Sequence, residues 1–105
     1  MHNKSEQAQE NKFANDQKAE YQVQSARNKL LGKWAGSIMY TIEQEIEKYI
    51  EQLIVADLEE PSDNDIITKI FNDLNTFGYQ ATREEIKEKI IEFNRIAVNL
   101  SYPNN

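Results

Sequence analysis

The chain has 105 residues and no cysteine, which allows one domain with one modest core and excludes disulfides and thiolate metal sites. Its longest apolar runs, such as Leu53-Ile54-Val55-Ala56, are too short to span a membrane. The net charge of -6 is spread unevenly, with +3 over residues 21–40 beside -8 over residues 41–65, and so small a basic patch next to so acidic a neighbour argues against general nucleic-acid binding.

Residues 1–18 are rich in Gln, Asn, Lys and Glu, and Phe13 is their only large apolar side chain after Met1. Such a segment cannot offset its ordering entropy by burial, so it is predicted to be a flexible arm, disordered or frayed when free. It contains neither Pro nor Gly, and its Glu, Gln, Ala and Lys residues favour helix, so ordering on a partner is cheap. The N-terminus lacks the basic start and apolar core of a signal peptide, which points to the cytoplasm.

A helix is predicted from about Glu20. Val23, Arg27, Leu30, Trp34 and Ile38 share one face, with Leu31 at its edge. Arg27 thus lies inside an apolar stripe, where its stem packs and its guanidinium pairs with an acid from the next helix. The competing assignment is a phosphate contact made by Arg27 and Lys29. On the opposite side Ser25, Gly32 and Gly36 line up. A solvent-facing helical Gly costs about 1 kcal/mol against Ala, so these residues predict the close approach of another backbone. Two candidates fit: a helix of the same bundle, or a partner using this face for docking.

Thr41-Ile-Glu-Gln44 has the pattern of a capping box, ending the first helix near Tyr40 and opening a second. Ile42, Ile46, Tyr49, Ile50, Leu53 and Ile54 form its apolar stripe, flanked by glutamates. Pro61 stops this helix, and Ser62-Asp-Asn-Asp65 starts a third whose buried face comprises Ile66, Ile67, Ile70, Phe71, Leu74 and Phe77. Gly78 fits a left-handed C-cap. Thr82-Arg-Glu-Glu85 opens a fourth helix with the stripe Ile86, Ile90, Phe93, Ala97 and Leu100. The expected fold is all-α: a small four-helix bundle over residues 19–105 carrying the arm 1–18.

Catalysis is hard to build from this inventory. The sole histidine is His2, and Gly32, Gly36 and Gly78 fit no phosphate-binding fingerprint. Asp57, Glu59, Glu60, Asp63 and Asp65 form an acidic cluster without the ligand spacing of a calcium loop; acids capping a first helical turn explain it without metal. No catalytic residue, metal site or cofactor is expected.

Three motifs, Lys12-Phe-Ala14, Ala26-Arg-Asn-Lys-Leu-Leu-Gly-Lys-Trp-Ala35 and Ala56-Asp-Leu-Glu-Glu-Pro-Ser-Asp-Asn-Asp-Ile66, make the chain resemble the zeta subunit of alpha-proteobacterial F-type ATP synthases. That family inhibits ATP hydrolysis by the catalytic head. The resemblance implies a four-helix bundle, monomeric when free, and an N-terminal arm that inserts as a helix between alpha and beta subunits and reaches the gamma subunit. It places Glu6, Ala8, Glu10, Lys12, Phe13 and Ala14 in the inhibitory arm. It also implies a cytoplasmic protein, peripheral at the inner face of the membrane when bound. Where the family typically has an aromatic residue, two acids and an Arg, this chain reads His2-Asn-Lys-Ser5.

Overall fold

A computed structural model describes the backbone of residues 2–59 and 63–101, with side chains from Glu20 onward. All of its regular structure is helical: α1 (His2–Met39), α2 (Glu43–Glu59), α3 (Asp63–Phe77) and α4 (Arg83–Ser101). The helix predicted from Glu20 is therefore the second half of a 38-residue element, more than twice the length of the 17-residue α2. At about 1.5 Å per residue α1 is roughly 57 Å long, close to the full 62 Å long axis of the molecule.

α1 is the central strut, with α2 and α4 as its principal neighbours. Its buried centre is Leu31 and Ala35, both fully enclosed, with Met39 below them. Leu30, Trp34 and Ile38, predicted as the middle of the stripe, are half-buried flanks instead. Glycines carry no hydrophobic signal, so an apolar wheel points one position away from the true centre of the buried face. Gly32 and Gly36 are buried as well, which turns the centre of the buried arc toward them.

The glycine face is where α2 lies. A Cβ placed on Gly32 would stand 2.9 Å from the Cα of Ile50, and one on Gly36 would stand 3.2 Å from Cγ2 of Ile46. Of the two candidates for the approaching backbone, the bundle's own helix is the one found. The pairing Gly32–Ile50 and Gly36–Ile46 also sets the direction: a step forward along α1 is a step backward along α2. On the other side α4 covers Trp34, with Lys89 Nζ 5.8 Å from the centre of its ring. Ile66, Ile70 and Leu74 of α3 and Ile86 of α4 complete the core, all with no solvent exposure.

The helix ends depart from the sequence reading in instructive ways. Gly78 adopts a φ of 113°. Its N–H donates to the carbonyl of Asn75 (3.1 Å), and Tyr79 N–H donates to that of Leu74 (2.9 Å), a complete Schellman closure of α3. Thr82 Oγ1 accepts from Glu85 N–H (3.0 Å), as a capping box requires, but the Glu85 carboxylate turns to accept from Tyr79 Oη (2.9 Å) instead of reaching back. At α2 the box is not used. The carbonyl of Ile42 accepts from both Glu45 and Ile46, so Ile42 is the N-cap, one residue beyond Thr41. Ile42, Phe77 and Leu100, expected in the core, are 61%, 55% and 65% exposed. Each lies at a helix end, where the neighbouring helices no longer cover the stripe. Phe77 packs its edge against Tyr40, with ring centres 6.2 Å apart.

The two glycines should respond differently to alanine. Both substitutions gain about 1 kcal/mol of helix propensity. At Gly32 the new methyl meets α2 backbone, and overpacking costs about 1–3 kcal/mol, so Gly32→Ala is expected to lower unfolding free energy. At Gly36 the nearest atom is a side-chain methyl at 3.2 Å, and the Ile46 Cα stands at an ordinary contact distance of 3.5 Å, so Gly36→Ala should be close to neutral. Urea denaturation of the two variants checks the order.

Candidate functional site

The sequence places candidate functional residues in three groups, and the structure treats each differently. Glu6, Ala8, Glu10, Lys12, Phe13 and Ala14 fall within the first half of α1, and their side chains lie outside the described residues. Ser25, Gly32 and Gly36 do not form an open docking face, because α2 packs directly on both glycines and Ser25 is half-buried.

The third group, Arg27 and Lys29, is split. Lys29 is exposed, whereas Arg27 is 3% exposed and pairs with acids inside the protein. Its Nη1 donates to Asp63 Oδ1 at the start of α3 (3.0 Å), and its Nη2 lies 3.6 Å from Asp57 Oδ2 in the last turn of α2. Its Nε donates to Asn28 Oδ1 (3.1 Å), and Asn28 Nδ2 in turn donates to Asp57 Oδ2 (2.9 Å). Arg27 is thus a structural cation, and the assignment of a phosphate contact to Arg27 and Lys29 together falls. Asp57 corrects a second expectation. It is not a first-turn acid but sits at the negative end of α2, where a carboxylate is disfavoured by the helix dipole, and Arg27 is what compensates it. Neither Asn28 nor Asp57 announced this role by spacing, because their partner is 29 residues away in the chain. Among the described residues no group of His, Cys, Asp and Glu is arranged to hold a metal ion.

A second polar cluster ties α2 to α3. Tyr49 Oη donates to Asp73 Oδ2 (2.9 Å), which also accepts from Lys69 Nζ (3.0 Å). Lys69 Nζ stands 5.4 Å from the Tyr49 ring centre. Burial first, and then the Asp73 carboxylate, raise the Tyr49 phenol well above its ordinary pKa of 10.0. These groups position α2 against α3.

Both clusters can be tested. Arg27→Met leaves the Asp57 carboxylate buried without its cation and is expected to cost about 3 kcal/mol. Adding Asp57→Asn should recover part of that loss, since no buried charge then remains. For Tyr49 the sign follows from its raised pKa. Stability is fully present below the unfolded value near 10.0 and declines as pH rises past it, because the unfolded chain ionises while the native phenol keeps its proton. Tyr49→Phe should lose about 1 kcal/mol at neutral pH and show a flatter alkaline decline, read by denaturation at a series of pH values.

No helix among the described residues is long and apolar enough to cross a membrane. No curated protein and no solved structure matched the chain in comparison searches. A family model described as ATPase inhibitor subunit zeta matches residues 1–99. That span takes in all three sequence motifs, the glycine seam and the Arg27 junction, and the chain therefore belongs to the ATPase inhibitor subunit zeta family, a family of regulatory rather than catalytic subunits.

Proposed function

We propose that this protein inhibits ATP hydrolysis by the catalytic head of F-type ATP synthase through residues 1–18, held out on α1 by the bundle of residues 19–105. The arm enters an interface between alpha and beta subunits as a helix and reaches the gamma subunit, blocking rotation in the hydrolysis direction. Glu6, Ala8, Glu10, Lys12, Phe13 and Ala14 supply its contacts. The protein acts in the cytoplasm, peripheral at the inner face of the membrane when bound. The observation that carries this proposal is that the family match begins at residue 1, so the polar, core-less stretch belongs to the family pattern as much as the bundle does. Two further points support it. The stretch lacks Pro and Gly, and α1 runs as one helix element from His2 to Met39, so no hinge residue separates arm from bundle.

One observation favours a second possibility, a bundle that binds the enzyme without inhibiting it. His2-Asn-Lys-Ser5 replaces the aromatic and acidic residues typical of that part of the arm. Coupled folding of a segment costs about 2–5 kcal/mol, so the loss of two or three contacts worth about 1 kcal/mol each weighs directly on insertion.

Adding the full-length protein and a form lacking residues 1–18 to ATP synthase heads from the same source distinguishes the two. ATP hydrolysis should fall with the full-length protein and stay near its starting rate with the truncated one. Negligible inhibition by both, with binding retained, would overturn the arm mechanism in favour of the second possibility.

A further inference from the structure

Where α1 and α3 finish, an open pocket of about 320 Å³ lies between α1, α2 and α3. The two helices run in the same direction, since Arg27 pairs with the first residue of α3 and Tyr40 packs on the last. Both therefore turn their negative ends toward this pocket, and neither carries a basic residue in its last turn. The lining joins the buried Met39 and Tyr49 to the more exposed rings of Tyr40 and Phe77, which meet edge to face. Asp73, with its side chain 33% exposed, and Gln52 supply acceptors.

The chain itself shows what these acceptors hold. Lys69 Nζ lies 3.0 Å from Asp73 Oδ2, 3.4 Å from Gln52 Oε1 and 5.4 Å from the centre of the Tyr49 ring. It comes from the neighbouring groove along α2, which it lines together with Gln52, and it does not line the pocket. The pocket thus presents a second side of a carboxylate, amide and ring that already stabilise a cation. A second compact ammonium at such short range would be repelled by Lys69. A guanidinium spreads its charge over a plane, is more weakly hydrated and stacks on aromatic faces. The Tyr40 and Phe77 rings can then take the part of the charge that Asp73 shares with Lys69. The volume is at the lower end of the range of about 300–1,000 Å³ for ligand sites, which suits a group the size of one side chain. We propose that this pocket binds a guanidinium, carried by a free alkylguanidine or by an arginine side chain of a partner, with Asp73 as its charge partner and Tyr40 and Phe77 as its stacking surface. The site lies at the opposite end of α1 from residues 1–18, so it stands independently of inhibition by the arm.

Binding is read on the full chain as amide shifts in an NMR titration with agmatine and with N-acetylarginine amide. Agmatine should shift the amides of Tyr40, Thr76 and Phe77 saturably at millimolar concentration, whereas N-acetylcitrulline amide, of similar shape but uncharged, should not. Binding of agmatine alone restricts the site to free alkylguanidines, and binding of the blocked arginine as well extends it to side chains; either upholds the proposal. Phe77→Ala, at a position 55% exposed, should weaken binding about fivefold, and Asp73→Asn should abolish it. Because Asp73 also holds Tyr49, Tyr49→Phe is the control: it removes that bond, leaves the carboxylate and should keep binding. Absence of saturable shifts with either guanidine, equal shifts with the citrulline compound, or binding unchanged by Asp73→Asn overturns the proposal. Loss of binding in Tyr49→Phe as complete as in Asp73→Asn overturns it equally, because the carboxylate is then only a structural support.

Discussion

A guanidinium enclosed at 3% exposure has given up most of its hydration, and that loss is tolerable only where opposite charge is fixed beside it. Arg27 meets this requirement with two carboxylates from different helices, Asp57 near the end of α2 and Asp63 at the start of α3. The same guanidinium therefore holds both sides of the α2–α3 corner against α1. Each acid also sits differently in its own helix. Asp63 is favoured by the positive end of α3, whereas Asp57 is disfavoured at the negative end of α2 and depends on the cation. Asn28 completes the arrangement by donating to Asp57 and accepting from Arg27, which fixes the guanidinium plane with a neighbour on the same helix.

Below this junction the bundle relies on a gradation of side-chain size around α1. Toward α2 the positions are glycine, so the two backbones close to the limit that Ile50 allows. Toward α4 stands the large, half-buried ring of Trp34, with the Lys89 ammonium over it. A single helix thus acts as the wall of two interfaces, small side chains meeting α2 and a large ring meeting α4. Close approach on one side brings Leu53 of α2 into the core fully enclosed, and the bulky side is finished by the stem of Lys89, whose ammonium reaches water across the Trp34 ring.

Most of the architecture was legible in the sequence because it rests on local signals. Helix boundaries followed from Pro61, Gly78 and Thr82, and the stripes of α3 and α4 from simple periodicity. Pairing of Arg27 with an acid from a neighbouring helix was also foreseeable, since no other fate suits a cation in an apolar stripe. Three things were not legible. Asp57 looked like one of several exposed acids, and only the fold brings it to Arg27. The α2 cap slid from Thr41 to Ile42, because the turn after Met39 is set by how closely α2 must lie on the glycines and not by the hydroxyl alone. The centre of the α1 stripe was misplaced toward Trp34 because hydrophobicity counts side chains, whereas glycine is buried by the backbone it admits. The arm residues Glu6 to Ala14 came from family resemblance; composition alone distinguishes them only as too polar to build a core.

The length of α1 connects these features to inhibition. An isolated polar helix of eighteen residues is marginal in water, since nucleation is costly and nothing buries its faces. Grown from a helix that is already formed, the same segment needs no nucleation and adds one hydrogen bond for each residue it orders. The Arg27 junction and the glycine seam hold the stretch immediately C-terminal to the arm, and Arg27 is only about 14 Å along the axis from residue 18. A partner that receives the arm therefore meets a segment whose helical direction is preset by a buried ion pair, so less of the binding energy is consumed in ordering it. In the proposed mechanism a rotor pushing on the inserted arm loads the same helix lengthwise. Resistance then comes from the two places where α1 cannot slide, the guanidinium held by Asp57 and Asp63 and the glycines seated on Ile46 and Ile50. In that proposal the bundle's contribution is mechanical: it would fix the base of a helix whose other end blocks rotation.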